Sequence, residues 1–261
     1  MTFPFGRNWK YFSDRYLTRE RIEIAKRCLL EPLELADLAG RSFLDIGSGS
    51  GLSSLAAFEL GAQRITSFDL DPLSVETTRA LRRRAGDPER WSVLRGSILD
   101  DAFLASLEKA DIVYSWGVLH HTGSMWKAFE KAARLLRPNG LLFVALYTTT
   151  DRSPYWIEKK QIYNRASTFR KKAMEARYIS GLFAGLLARG KNPFSFVRNY
   201  KKNRGMAFLS DIRDWLGGWP YEDAKIEEVL RFAWARLNLE LVNIRTGEAN
   251  TEYVFRSRSE E

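Results

Sequence analysis

The chain has almost none of the residues that build metal centres and disulfides. Cys28 is its one cysteine in 261 residues, and His120 and His121 are its only histidines. An intrachain disulfide is excluded, and with it a cysteine-rich metal site; two adjacent histidines do not make a usual ligand set, so no metal is expected. Long apolar runs are also missing. The opening MTFPFGRNWKYFSDRY has neither the apolar centre of a secretory signal nor the roughly 18 consecutive apolar residues of a spanning helix. The expectation is a cytoplasmic protein, either free or resting on the inner face of the membrane. No internal repeat or low-complexity tract is visible, and a hydrophobic content of 45% lies well inside the globular range.

Charge is abundant but unevenly placed. The net charge is +9, and between positions 151 and 222 there are 15 Lys and Arg against 6 Asp and Glu. The remainder of the chain is balanced, so the basic character belongs to one segment.

Around that segment the hydrophobic rhythm alternates. Apolar residues recur at helical spacing from Asn8 to Leu38. SFLDIG, RITSFDL, WSVLRGS, ADIVYSW and GLLFVALY then read as strands. LSSLAAFELGA, DPLSVETTRALRRR, DDAFLASLEKA and MWKAFEKAARLLRPNG read as the helices between them. A final helix, AKIEEVLRFAWARLN, leads into LELVNIRTG and TEYVFRSR, which read as an antiparallel pair. This pattern specifies an α/β fold: a Rossmann-like, mostly parallel seven-stranded sheet with helices on both faces and a helical cap inserted after the fifth strand. The expected divisions are 1–150 for the core with its N-terminal helices, 151–222 for the basic cap, and 223–261 for the closing helix and hairpin.

Gly47, Gly49 and Gly51 fall where a buried strand turns into a helix, and lack of a Cβ permits both the sharp turn and close approach to a ligand. A dinucleotide fingerprint would need a third glycine at position 52, which is Leu52. Asp69 ends the second strand about 20 residues later, where a carboxylate can accept both hydroxyls of a ribose. The alternative gives the glycines only a turn and Asp69 only a helix cap.

The stretches FLDIGSGSGLSSLAA, ITSFDLDP, LRGSILD, DIVYSWGVLHHTG and LLRPNGLLFVALY resemble the successive motifs of class I S-adenosylmethionine-dependent methyltransferases. DWLGGWPYE and TEYVF are similar to a bacterial group of quinol or small-molecule methylases. The resemblance implies S-adenosylmethionine as cosubstrate, with Asp45, Gly47 and Gly49 around its methionine part and Asp69 on its ribose. It also implies Leu70 packed on the adenine, Ser97 and Ile98 beside it, and Trp116 with Gly117 at the methionine end. Ser97 stands where the family more often has a carboxylate.

His120 and His121 follow the fourth strand at its carboxyl end, the edge where open α/β sheets bind ligands. A sulfonium methyl is already activated, so the enzyme has to align a nucleophile with it, and a hydroxyl nucleophile also needs a base. Either histidine fits that role, neighbours in sequence cannot both face the acceptor, and His121 is preferred. The structural alternative has one of them packing beneath the site. Asp211, Asp214 and Glu222 are further candidates, with capping or pairing to Arg213 the favoured reading for Asp211.

The expected activity is methyl transfer to a small or lipid-like acceptor, with oxygen as the expected nucleophile. The basic segment admits three readings: a lid lying on an anionic membrane, an RNA grip, or a cap whose apolar residues pack inward while Lys and Arg are solvated. Nucleic acid ranks last, since no recognisable RNA-binding module accompanies the core. An RNA methyltransferase and a non-catalytic S-adenosylmethionine binder stay open as rivals.

Overall fold

A computed structural model describes residues 3–202, 205–247 and 249–258. Two helices, α1 (Phe5–Tyr16) and α2 (Arg19–Leu33), come first. The alternation then runs β1 (Ser42–Ile46), α3 (Leu52–Glu59), β2 (Arg64–Asp69), α4 (Pro72–Arg84), β3 (Trp91–Arg95), α5 (Asp101–Ala105), β4 (Ala110–Trp116), α6 (Met125–Arg134) and β5 (Leu136–Tyr147). Four helices follow: α7 (Ser153–Arg165), α8 (Thr168–Ala188), α9 (Pro193–Asn199) and α10 (Phe208–Gly217). The chain closes with α11 (Ile226–Leu237), β6 (Leu239–Thr246) and β7 (Asn250–Ser257).

The strands form one sheet in the order β3-β2-β1-β4-β5-β7-β6. β1 to β5 are parallel, and β7 pairs antiparallel with both β5 and β6. The sheet is thus mostly parallel and Rossmann-like, as the alternation implied. Successive strand residues point to opposite faces, and here both faces are dry. Phe43, Ile112 and Phe143 enter one apolar core with Leu29, Leu55 and Val75 from α2, α3 and α4. Leu44, Val113 and Val144 enter a second with Phe129 and Val229 from α6 and α11. Each such side chain, fully buried, contributes roughly 1.5–3 kcal/mol.

Two element boundaries differ from the sequence expectation. α6 stops at Arg134 rather than running to Gly140, because Pro138 cannot donate to a helical ladder. The residues from Leu136 onward join β5 instead. α5 is only five residues long, and Ser106, which follows it, donates its hydroxyl to the Phe103 carbonyl.

The segment between β5 and α11 is helical and has a small apolar core of its own, made of Tyr163, Phe208, Ile212 and Leu216 together with Phe3. Arg165, Arg170, Lys172, Arg177, Arg189, Lys191 and Arg198 are exposed on its outside. No helix among the described residues is long and apolar enough to cross a membrane.

Candidate active site

β1 ends in a turn whose backbone only glycine adopts without strain. Gly47, Gly49 and Gly51 have φ of 74°, 54° and 78°. Space is equally short, since a Cβ on Gly47 would lie 2.5 Å from Val118 and one on Gly49 would lie 3.1 Å from the Trp9 indole nitrogen. The Gly47 and Ser48 amides donate to the Phe68 carbonyl at 2.8 and 3.0 Å, tying the turn to the end of β2.

Asp69 holds the turn from the other side. Its Oδ2 accepts from the Gly49 amide at 3.0 Å and its Oδ1 from the Asp71 amide at 2.9 Å. A carboxylate oxygen has two lone pairs, so each can still accept one more donor. Capping of α4 falls to Asp71, which accepts from the Leu73 amide at 2.8 Å. Burial pushes the Asp69 carboxyl up to about 6, against the pull of the Asp71 and Gly49 amides. Asp45 is buried more deeply and is pushed up to about 7 by burial, opposed by its hydrogen bond from the Ser54 hydroxyl. Ser54 and Ser67 are 2.6 Å apart, and the Trp91 indole donates to Ser67 at 2.8 Å, so the polar atoms beneath the turn are paired.

A cavity of about 580 Å³ opens along the carboxyl ends of the strands. It straddles the point where the chain reverses its direction across the sheet, between β1 and β4, which is where open α/β sheets bind ligands. Asp45, Gly47, Gly49, Asp69, Leu70, Ser97, Ile98, Trp116 and His121 all line it, whereas His120 does not. Leu70 is 62% exposed, at the rim. The Ser97 hydroxyl accepts from the Leu99 amide at 3.1 Å and so also shapes its own loop. The Trp116 indole donates to Glu252 Oε1 at 2.7 Å. Glu252, Trp9, Phe3, Phe5 and Met206 line the cavity as well and were not singled out in the sequence. Glu252 carried a weak signal, as a carboxylate directly before the apolar residues Tyr253, Val254 and Phe255 of β7. The N-terminal aromatics carried none.

The two histidines occupy opposite tautomers. His120 is fully buried, stacks on Tyr147 with ring centroids 3.8 Å apart, and accepts the Tyr147 amide on Nδ1 at 3.2 Å. Its neutral ring therefore carries the proton on Nε2. Burial holds it well below the ordinary imidazole value, helped by His121 and Lys160. His121 donates Nδ1–H to the Pro220 carbonyl at 2.5 Å, which leaves the lone pair on Nε2. Burial and the Lys160 charge pull it down to about 3, opposed by the Pro220 bond. Nε2 is buried against Gly218, where a Cβ would lie 2.9 Å from it. For this nitrogen to reach an acceptor, the segment around Gly218 has to shift.

Lys160 lies behind the histidines. Its ammonium donates to the Trp215 carbonyl and sits 5.3, 4.7 and 5.1 Å from the ring centroids of Tyr147, Trp215 and Tyr221. Burial lowers it to about 7, opposed by Asp214. Asn164 donates to the Gly217 carbonyl at 2.7 Å, so α7 grips the end of α10 at two points. Asp211 and Asp214 both line the cavity. The expected pairing of Asp211 with Arg213 is replaced: Arg213 pairs with Glu175, and Asp211 accepts the Tyr200 hydroxyl at 3.1 Å. Glu222 accepts the Met125 amide at 3.0 Å at the start of α6 and is absent from the cavity wall.

Residues 44–144 match the family model described as a methyltransferase domain. This stretch is a class I methyltransferase domain. The cosubstrate of that class is S-adenosylmethionine, and the glycine turn, Asp45 and Asp69 of the methyltransferase domain form the half of the cavity over β1 and β2. The ubiquinone biosynthesis O-methyltransferase of Methylobacterium sp. (strain 4-46) is 32% identical over 123 residues, 47% of this chain and 47% of that one. A ribosomal protein L11 methyltransferase of Azotobacter vinelandii is 36% identical over 114 residues, 43% of this chain and 36% of that one. The chain thus covers less than half the length of either relative. The structure of PKMT2 from Rickettsia typhi in complex with AdoHcy has a TM-score of 0.60 at 17% identity, over 91% of this chain and 54% of that one, a likeness of fold. The names of the two relatives point to unlike molecules, ubiquinone biosynthesis in one and a ribosomal protein in the other.

Proposed function

We propose that the protein transfers the methyl group of S-adenosylmethionine to an oxygen of a small or lipid-like acceptor. One observation carries the reading: the glycine turn and the Asp69 carboxylate share a single cavity that continues across the β1–β4 reversal to the edge of β4, β5 and β7. One half suits a nucleoside, and the other lies where a nucleophile would meet its methyl group. In the transfer the acceptor oxygen attacks the methyl carbon, the carbon–sulfur bond breaks towards sulfur, and S-adenosylhomocysteine leaves as a neutral thioether. The hydroxyl proton must go to a base.

The chain's own residues then act as follows. Asp69 accepts the ribose hydroxyls on the lone pairs left by Gly49 and Asp71. Asp45 supplies negative charge under the methionine end. Phe3, Phe5 and Trp9 partly roof the cavity and exclude water, which favours alignment. His121 takes the proton on Nε2 once the Gly218 segment has moved off it; catalytic contacts often tighten only in the complex.

Titration calorimetry with S-adenosylmethionine and S-adenosylhomocysteine tests the reading, repeated with Asp69→Ala. The variant should bind more weakly by roughly 1.5–3 kcal/mol, the worth of charge-assisted hydrogen bonds. Failure of the native protein to bind either ligand would overturn the proposal. An RNA acceptor would instead require steeply salt-dependent RNA binding through the exposed Lys and Arg of α7 to α9. A non-catalytic binder would show cosubstrate affinity with no S-adenosylhomocysteine released from any acceptor.

A further inference from the structure

We propose that the outer face of α8, continued by Phe194 of α9, docks on an anionic lipid surface. The proposal goes beyond the methyl-transfer reading and does not depend on it.

α8 has two unlike faces. Met174, Tyr178 and Leu182 recur at every fourth position and pack against the small core of the cap, and Leu186 continues their row as a buried residue. Phe183 stacks on Phe208 of α10 with ring centroids 6.1 Å apart, so this side is fixed to the rest of the molecule. On the other side Phe169, Ala173, Ala176, Ser180, Ala184 and Leu187 follow one another in steps of three and four residues, and all six are exposed. Phe169 is 83% exposed and Leu187 63%; Phe194, just beyond the turn at Gly190, is 80% exposed. The row contains no charged residue and runs along about 27 Å of helix. Apolar residues exposed singly are ordinary, whereas a continuous row with large members at both ends is a contact surface.

The charges beside the row decide what it meets. By helical spacing Arg170 and Arg177 border it on one side and Lys172 on the other, and all three are exposed. From Arg165 to Lys202 the sequence has ten Lys and Arg against one acidic residue, Glu175. Glu175 is turned inward, where it accepts the Tyr163 hydroxyl at 2.7 Å and pairs with Arg213 at 3.3 Å. An uncharged apolar row flanked by cations suits the headgroup layer of a membrane, with the apolar side chains at the acyl boundary and the cations on lipid phosphates. Arg170, Lys171, Lys172, Glu175 and Arg177 all fall in the first half of α8, so the helix lies on such a layer and does not cross it. A second copy of the chain seated on this face would set its flanking cations against the same cations. A nucleic acid would place phosphates over a row that carries no cation.

The test is sedimentation of the intact chain with vesicles, in the absence of any cosubstrate. Vesicles of phosphatidylcholine and phosphatidylglycerol in equal parts should carry the protein down, vesicles of phosphatidylcholine alone should carry little, and added salt should weaken the binding. Phe169→Ser, Leu187→Ser and Phe194→Ser together should reduce binding to the mixed vesicles at least about tenfold, since their side chains leave water on docking. Arg170→Gln with Arg177→Gln should reduce it by about fivefold for each charge removed. All these side chains are exposed, so both variants should melt as the native chain does. Failure of the native chain to sediment with the mixed vesicles would overturn the proposal. Full binding by the serine variant with loss in the glutamine variant would leave a phosphate grip of the kind a nucleic acid uses, and would overturn it too. A native dimer that the serine variant turns into a monomer, read by light scattering, would assign the face to a second copy instead.

Discussion

Acidification should weaken S-adenosylhomocysteine binding in two steps. Burial raises Asp45 to about 7 and Asp69 to about 6, so the unliganded protein takes up a proton at each as pH falls through those values. Under the proposed function the ligand needs the ionised forms, with ribose hydroxyls donating to Asp69 and the ligand's ammonium group favouring a charged Asp45. Affinity should be level above pH 7, fall by up to about tenfold per pH unit between 7 and 6, and steepen towards a hundredfold per unit below 6. Calorimetry in two buffers of different ionisation heat would count the protons released on binding at each pH. Asp69→Asn should remove the lower step and leave the upper one. Constant affinity from pH 8 to 5.5 with no proton release would refute the reasoning. Thermal stability is a poorer readout because opposing groups titrate together. The raised carboxyls contribute stability that is full below the ordinary carboxylate range and lost as pH rises through 6 and 7. The depressed histidines contribute stability that is full above their ordinary value of 6.5 and lost as pH falls.

His121→Ala should lower turnover by about 10²–10⁴-fold with little change in S-adenosylmethionine affinity, read from initial rates beside calorimetry; an equally active variant would remove His121 from the mechanism. Lys160→Met leaves the Trp215 carbonyl without its ammonium donor and should cost about 1–3 kcal/mol in denaturant unfolding. The same variant should raise the His121 titration point, followed by NMR of the ring, because the Lys160 charge helps hold it down. Gly218→Ala would place a Cβ 2.6 Å from His121 Cε1 and should destabilise by about 1–3 kcal/mol while slowing turnover. Native stability and rate in that variant would show that the segment already stands clear of the ring.

The core was legible because its signals are local. Short apolar runs bounded by Gly47 or Asp69 and a helix opened by Pro72 state their own structure, and both cores follow from the alternation of strand and helix. Asp45, Gly47, Gly49, Asp69, Leu70, Ser97, Ile98, Trp116, Gly117 and His121, named from the sequence, line one cavity for the same reason, since they lie at or just beyond strand ends. The division of labour between the histidines was not legible. It depends on Tyr147 donating to one ring and Pro220 accepting from the other, contacts across 27 and 99 residues. Nor could periodicity show that Lys160 is a buried cation among three rings rather than one more solvated charge, or that Glu252 reaches Trp116 across 136 residues.

The cavity roof is stitched from distant parts of the chain. The Phe3 amide donates to the Trp219 carbonyl at 3.2 Å, the Gly6 amide to Asp71 Oδ2 at 2.9 Å, and Asn8 to the Ser210 carbonyl at 2.8 Å across 202 residues. The family-like middle of the sequence therefore carries the floor of the binding site without its ceiling. Affinity for the cosubstrate becomes a property of the assembled molecule: a fragment ending after β5 would keep the glycine turn and Asp69 yet lose the Trp219 and Ser210 carbonyls that hold the N-terminal aromatics over the cavity.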